Sequence, residues 1–430
     1  MTHTRVGLCV LAALAASQSW GQGDFVSSAE LEAAGLAKYW QLQLPLEPGQ
    51  QVHDAYLVDD HLYLGTQDGY AYAVHAPTGL IRWLRPVTRS GYALRRPCHH
   101  GEQTVFVTPS DVQIYEKTTG EPVSRHELDF PPGTAAVSDG ERLFIGGLDR
   151  RLYALSAETL FRDWRVVTSG PIASLPAIHD ARVYVANDSG HVYACTRDNK
   201  TLVWQAAAHD RITADLVVTE AGVFAACRDF SLYLFDLNFG NVRWRARLSG
   251  PLYDAPVVMP ELVYQYSPAE GLAAIEPTAV GVVDKRVRWT LPRGRVALTV
   301  HGGLVYVLTA DETLVAVEPA SGRVRHTVST AGFSTGLPSP GDSTVFLVAP
   351  DGRLFCARPR GTPPLRKEDI FRALNPPPKA EEGAASGSTA TTTAPAAPTA
   401  DDPLQTKRPG MPPGGKSNVT KGFQERGAGR

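Results

Sequence analysis

Short apolar runs recur along the chain at a nearly constant interval. They are Leu62–Leu64, Val105–Val107, Leu143–Ile145, Val183–Val185, Val223–Ala225, Leu262–Tyr264, Leu304–Val307 and Val345–Leu347. Runs without polar alternation predict strands covered on both faces. A turn follows each run, often with Asp-Gly chemistry, as at Asp68-Gly69 and Asp351-Gly352. Such residues tolerate the positive φ of a tight hairpin. A second strand then carries Tyr72, Tyr115, Tyr153, Tyr193, Tyr233, Ala273, Val315 or Phe355, in steps of 38 to 43 residues. A period of this size marks a repeat architecture, in which each unit is one supersecondary block.

The second strand ends in another turn, such as Thr78-Gly79, Thr119-Gly120 or Phe239-Gly240, and a tryptophan follows: Trp83, Trp164, Trp204, Trp244 or Trp289. Ser124 and His326 take its place in two units. A tryptophan repeated at one site reads as a wedge docking neighbouring units. Burying each removes about 150–250 Å² from water, worth roughly 4–6 kcal/mol at most. Trp40 precedes the first full unit, in a stretch resembling a detached final strand, whereas the eighth unit has no tryptophan strand of its own. The simplest arrangement lets the strand around Trp40 complete the last unit and close a ring, removing exposed sheet edges. The expected fold is therefore an all-β, eight-bladed β-propeller over residues 40–358.

No Gly-His…Trp-Asp pattern occurs. The units resemble the pyrroloquinoline quinone (PQQ)-type repeat, roughly Ala-x-Asp-x-x-Thr-Gly-x-x-x-Trp, at Ala73 to Trp83, Ala154 to Trp164, Leu234 to Trp244 and Ala316 to His326. That resemblance covers about three quarters of the chain and implies a PQQ-like propeller; fold alone does not name a function.

The ends read differently. Arg5 followed by the apolar stretch Val6 to Ala16 resembles an export signal over residues 1–23, too short to span a bilayer. Cys9 lies inside that stretch, where it is poorly placed for lipidation. Ser27-Ser28-Ala29-Glu30 has the form of a capping box, predicting a short helix within residues 24–39 that runs to about Lys38. A second short helix is expected within 359–375, at Leu365 to Leu374. Residues 376–430 are rich in Pro, Ala, Thr and Gly and too poor in apolar residues to offset ordering entropy, which predicts a disordered tail.

A net charge of −2 gives no field steering the chain toward nucleic acid. Past the signal remain Cys98, Cys195, Cys227 and Cys356, scattered without the tight spacing of a disulfide framework and expected as buried single thiols. Cys98-His99-His100 is read as loop residues, because three consecutive side chains cannot converge on one tetrahedral ion. Gly332 to Gly336 matches a nucleophile-elbow pattern but falls where an innermost strand begins, with no helix after it. The sequons at Asn187 and Asn199 lie at predicted hairpin turns, and a third starts at Asn418. Innermost strands are expected around His53-Asp54, Leu94-Arg95, Asp215, Tyr253-Asp254 and Ser334-Thr335, lining a polar channel.

PQQ enzymes resemble this chain in fold, and the resemblance implies an active site with adjacent cysteines and calcium. No Cys-Cys pair exists here, so no catalytic, cofactor-binding or metal residue is assigned and no cofactor is expected. Within the PQQ-like group the chain looks like the BamB type, the propeller of outer-membrane β-barrel assembly. The resemblance implies an exported, monomeric, non-catalytic scaffold, periplasmic or extracellular, at most peripheral to the outer membrane, binding protein partners through interblade loops. The alternatives are a PQQ-dependent quinoprotein dehydrogenase or a propeller with a small ligand in its channel. If the tryptophans are wedges, Trp204→Ala should cost about 3–5 kcal/mol in denaturant unfolding; a change near zero would remove that role.

Overall fold

The computed structural model describes residues 23–278 and 286–374. The export-signal reading (apart from Gly23), the tail reading and Asn418 lie outside these residues. The described chain forms eight four-stranded antiparallel sheets, and in seven of them the strands run in sequence order from the innermost to the outermost. Blade 1 illustrates the unit, with Val52–Val58 innermost, then His61–Thr66, Tyr70–His75 and the outermost Leu80–Pro86. Blades 2 to 7 span residues 98–127, 132–167, 177–207, 217–247, 257–291 and 294–329. Blade 8 holds three strands from Thr335 to Pro359, and Leu36–Gln43 is its fourth. That outer strand pairs antiparallel with Arg353–Pro359, Trp40 opposite Cys356 and Leu42 opposite Leu354. The ring is closed by joining the two ends of the described chain, as expected.

The second strand of each blade explains the unbroken apolar runs. His61–Thr66 is buried at every position, because its two faces pack against different neighbouring blades. Leu62 and Leu64 join the cluster shared with blade 8, while Tyr63 joins the one shared with blade 2. Eight such apolar clusters sit in the eight seams between adjacent blades. Side-chain alternation thus divides one apolar strand between two cores.

Two boundaries differ from expectation. The N-terminal helix α1 spans only Ser28–Ala33, N-capped by Ser27, whose side chain accepts from the Glu30 N–H. Gly35, at φ 80°, follows it, and strand begins at Leu36, so Lys38 and Tyr39 are strand residues rather than the end of a helix. Hydrogen bonding to Arg353–Pro359 recruits those positions. The C-terminal helix α2 spans Lys367–Leu374, with Ala373 buried and Phe371 exposed. Cys98–His100 is the innermost strand of blade 2, not a loop; Cys98 pairs with Val105 and His100 with Gln103.

The seams without a tryptophan are filled by other means. In blade 3 the turn position that is Gly79, Gly120, Gly240 or Gly322 elsewhere is Leu160, held at φ 60° and buried in the seam with blade 2. A Cβ added at Gly120 would lie 2.4 Å from the Trp83 ring, and one at Gly240 would lie 2.5 Å from the Trp204 ring. Leu160 therefore occupies space that an indole from blade 2 would need, and Ser124 leaves that space to it. Lys200, at φ 59° in the matching turn of blade 4, is exposed and shares its seam with Trp164. Between blades 7 and 8, where His326 stands, Val26, Leu31, Ala34 and Leu36 fill the gap. Tyr306 donates its hydroxyl to the Ala34 carbonyl there, at 2.5 Å, and Glu30 accepts from the Ser329 N–H at 2.7 Å.

The exchange at the blade 2–3 seam makes a reciprocal prediction. Ser124→Trp alone should destabilise by about 1–3 kcal/mol through overpacking. Leu160→Gly alone should cost about 2–5 kcal/mol as a cavity, partly offset by relief of left-handed strain. The double variant should recover most of that loss in denaturant unfolding; simple additivity would refute the exchange.

Candidate functional site

Strand direction alternates within each blade, so the turns fall into two sets. Loops leading from an outermost strand to the next blade share one end of the ring with the turns between second and third strands. We call this the loop end. The remaining turns define the opposite end, where the six tryptophans among the described residues act.

Each indole Nε1–H donates across a seam to a main-chain carbonyl in the next blade. Trp40 reaches Ala76 at 2.9 Å, Trp83 reaches Lys117 at 2.9 Å and Trp164 reaches Arg197 at 3.1 Å. Trp204 reaches Leu237 at 2.8 Å, Trp244 reaches Pro277 at 2.8 Å and Trp289 reaches Pro319 at 2.7 Å. All six acceptors occupy the same turn position, just after the third strand. Within its own blade the indole stands opposite a small residue in most cases, as in Ala73–Trp83, Ala154–Trp164, Ala194–Trp204 and Ala274–Trp289. Ser124 is instead paired with the larger Ile114. Five indoles are buried, while Trp289 is partly buried. A buried indole needs a partner for its N–H, and the adjacent turn supplies one.

The polar residues anticipated for the channel separate into two groups. His53 and Asp54 lie in the innermost strand of blade 1, and Thr335 begins that of blade 8. Leu94-Arg95, Asp215 and Tyr253-Asp254 instead sit in the segments just ahead of the innermost strands, because those strands are only two or three residues long in blades 2, 5 and 6. Asp54 accepts from the Leu94 N–H at 2.8 Å and Asp215 from the Leu175 N–H at 2.9 Å. Burial among neighbouring inner strands raises both carboxyls above the usual range, against those hydrogen bonds. Asp254 pairs with Arg295 at 2.8 Å, and that guanidinium lies 3.9 Å from the centre of the Tyr266 ring. These groups link neighbouring blades and leave a mixed-charge lining without one dominant sign.

The sequence profile of the family described as "Outer membrane protein assembly factor BamB" matches residues 108–213, 188–290 and 278–360, more than half of the chain. The chain belongs to the BamB family. It is a PQQ-like propeller of that type. No curated protein matches the sequence. Among solved structures, BamB from Moraxella catarrhalis aligns with a TM-score of 0.59 at 15% identity, covering 76% of this chain and 99% of that one. The computationally designed Ika8 protein aligns with a TM-score of 0.56 at 13% identity, covering 73% of this chain and 98% of that one. At these identities the likenesses speak for the propeller fold.

In this BamB-family ring the other sequence motifs resolve into structural partners. Asn187 is fully buried, donating to Ser169 Oγ and accepting from the Ser189 and His191 N–H groups. Asn199 accepts from Thr201 in its turn. Ser334 is exposed, directly before the strand Thr335–Leu337. The four described cysteines are free, and burial pushes Cys195 to about 11 and Cys227 to about 12. Cys98 is partly exposed as a residue, yet its thiol is enclosed and is pushed to about 12. Among the described residues no group of three or more His, Cys, Asp or Glu side chains is arranged to hold a metal ion, and no helix is long and apolar enough to cross a membrane.

One cluster was not legible in the sequence. His61, His75 and His99 come from two blades, with the His61 ring 5.9 Å from His75 and 5.6 Å from His99. His61 Nδ1 meets Asp60 at 2.8 Å, while its buried Nε2 has no hydrogen-bond partner among the described residues. His99 bridges Asp59 at 2.7 Å and Tyr63 at 2.8 Å; His100 turns away to Ser138 at 3.1 Å. Burial pushes His75 down to about 4, with Arg82 and His61 adding to it against Asp60. Burial also lowers His99, against the pull of Asp59.

Both imidazoles thus take up protons less readily in the fold than once unfolded. Stability is complete above the ordinary histidine value of about 6.5 and declines as pH falls from there toward about 4. Melting temperature should therefore fall less steeply between pH 6.5 and 4.5 in a His75→Gln/His99→Gln variant than in the parent. Parallel curves would show that these histidines do not contribute.

Proposed function

We propose that this protein is an exported, non-catalytic scaffold that holds other proteins together during outer-membrane protein assembly. The observation carrying this reading is the match of the assembly-factor profile across more than half of a ring whose loops all return to a common rigid frame. Function in such a fold belongs to loops displayed by the frame. The lack of adjacent cysteines departs from the quinone-enzyme pattern and favours binding over catalysis. The scaffold acts as a monomer in the periplasm or outside the cell, touching the outer membrane only peripherally and contacting protein partners through interblade loops.

Chemical cross-linking in intact envelopes followed by purification of the full chain tests this. Recovery of components of the outer-membrane β-barrel insertion machinery is expected, with no dye-linked alcohol oxidation on adding PQQ and Ca²⁺ to the purified protein. Isolation of uncomplexed monomer with a co-purifying small molecule, or quinone-dependent turnover, would overturn the proposal.

A further inference from the structure

The blade 1–blade 2 seam opens at the loop end into a groove of about 750 Å³, lying between the loop after Leu80–Pro86 and the last two strands of blade 2. Its lining is mixed: Pro86, Val87, Tyr92, Tyr115, Pro122 and Val123 supply the apolar and aromatic part, and polar side chains the rest. Tyr92 is 52% exposed and Val123 46% exposed. The outermost strand Pro122–Glu127 has no buried residue, and all of it except His126 is exposed. Ser124, standing where other blades place an indole, leaves this strand without a seam contact of that kind.

The groove floor is a closed polar network. Asp111 accepts from Arg125 at 2.6 and 3.2 Å, from Gln113 at 2.7 Å and from Ser110 at 3.1 Å. Burial pushes the Asp111 carboxyl up, but these donors together outweigh it and hold it below the usual carboxylate range. Tyr115 donates to Gln113 at 2.8 Å, and Gln113 also donates to the Val87 carbonyl at 3.1 Å. The acidic group is therefore buried and engaged. The basic groups are not confined in that way. The Arg125 side chain is 64% exposed and spends two of its five N–H donors on Asp111, and Arg89 is exposed on the overhanging loop. Glu127, the other carboxylate near Arg125, pairs with Asp111 across the ladder and is exposed beside the groove, but it is not part of the lining. An incoming carboxylate meets free guanidinium donors, whereas an incoming ammonium meets no free carboxylate in the lining.

We infer that this groove docks an extended segment of a partner protein in which a carboxylate side chain stands beside an apolar or aromatic one. The inference rests on the scaffold reading and assigns it a surface. The apolar part of the lining takes the hydrophobic side chain, and Arg125 and Arg89 take the carboxylate, with specificity arising from charge complementarity. A volume within the range of roughly 300–1,000 Å³ of ordinary ligand pockets suits a few anchor side chains rather than a folded domain.

Fluorescein-labelled peptides of alternating Glu with Val and Phe, and the same peptides with Lys replacing Glu, are the probes. Purified full-length protein should bind the Glu series at least tenfold more tightly, with affinity falling as salt rises. Hydrogen exchange should slow at residues 86–92 and 108–125 on binding. Arg89→Glu and Tyr92→Ala, both at exposed positions, should each weaken binding about tenfold, while Phe239→Ser on distant blade 5 should not. Equal binding of the two series, unchanged affinity in both variants, or protection elsewhere would overturn the groove assignment. Envelope cross-linking of an Arg89→Glu/Tyr92→Ala variant separates the two levels. Partners captured as well as by the parent would refute the groove and keep the scaffold, whereas a parent that captures none would refute the scaffold itself.

Discussion

The antiparallel pairing of Leu36–Gln43 with Arg353–Pro359 is the constraint on which the rest of the ring depends. Each blade gains its apolar cover from both neighbours, so a missing outer strand in blade 8 would uncover two seams at once. Leu42, Leu44 and Trp40 complete the cluster shared by blades 8 and 1, and Leu36 completes the one shared by blades 7 and 8. The joint is reinforced where the chain passes into blade 1: Leu44 N–H donates to the Gly352 carbonyl at 2.9 Å and Val52 N–H to the Pro350 carbonyl at 2.9 Å. Among the described residues, no other strand pairing connects positions so far apart in the chain.

Seam chemistry shows how a repeated solution is varied without losing the ring. The usual device is an indole lying over a left-handed turn residue and donating to a fixed carbonyl. Where blade 2 lacks the indole, Leu160 brings an apolar side chain from the opposite side of the same seam. Where blade 7 lacks it, α1 and its flanking residues fill the gap. The space between blades is thus a conserved volume within this one molecule, filled from whichever side supplies a side chain.

Much of this was legible from residues alone, because period, turn chemistry and tryptophan spacing are local signals repeated many times. The solitary strand around Trp40 could be placed because the eighth unit visibly lacked one. The errors arose where tertiary pairing overrode local pattern. Ser27 caps α1, but pairing with Arg353–Pro359 draws Lys38 and Tyr39 into strand. Cys98-His99-His100 lacks the apolar character of an inner strand and was read as loop, yet its pairing to Gln103–Val107 makes it one. Neither the His61–His75–His99 cluster nor the blade 1–2 groove has a sequence signature, since each joins residues tens of positions apart.

Blade 8 is made from the earliest and latest parts of the folded chain, and this has a consequence for biogenesis. Synthesis delivers the polypeptide from its N-terminus, so Leu36–Gln43 emerges without the strand it must pair with. Seven blades can assemble before Arg353–Pro359 arrives to complete the circle. Until then the first strand is an orphan, and the half-built ring has two open edges of the kind that recruit other chains. Holding such an intermediate apart from its neighbours is a task set by the topology of the fold itself.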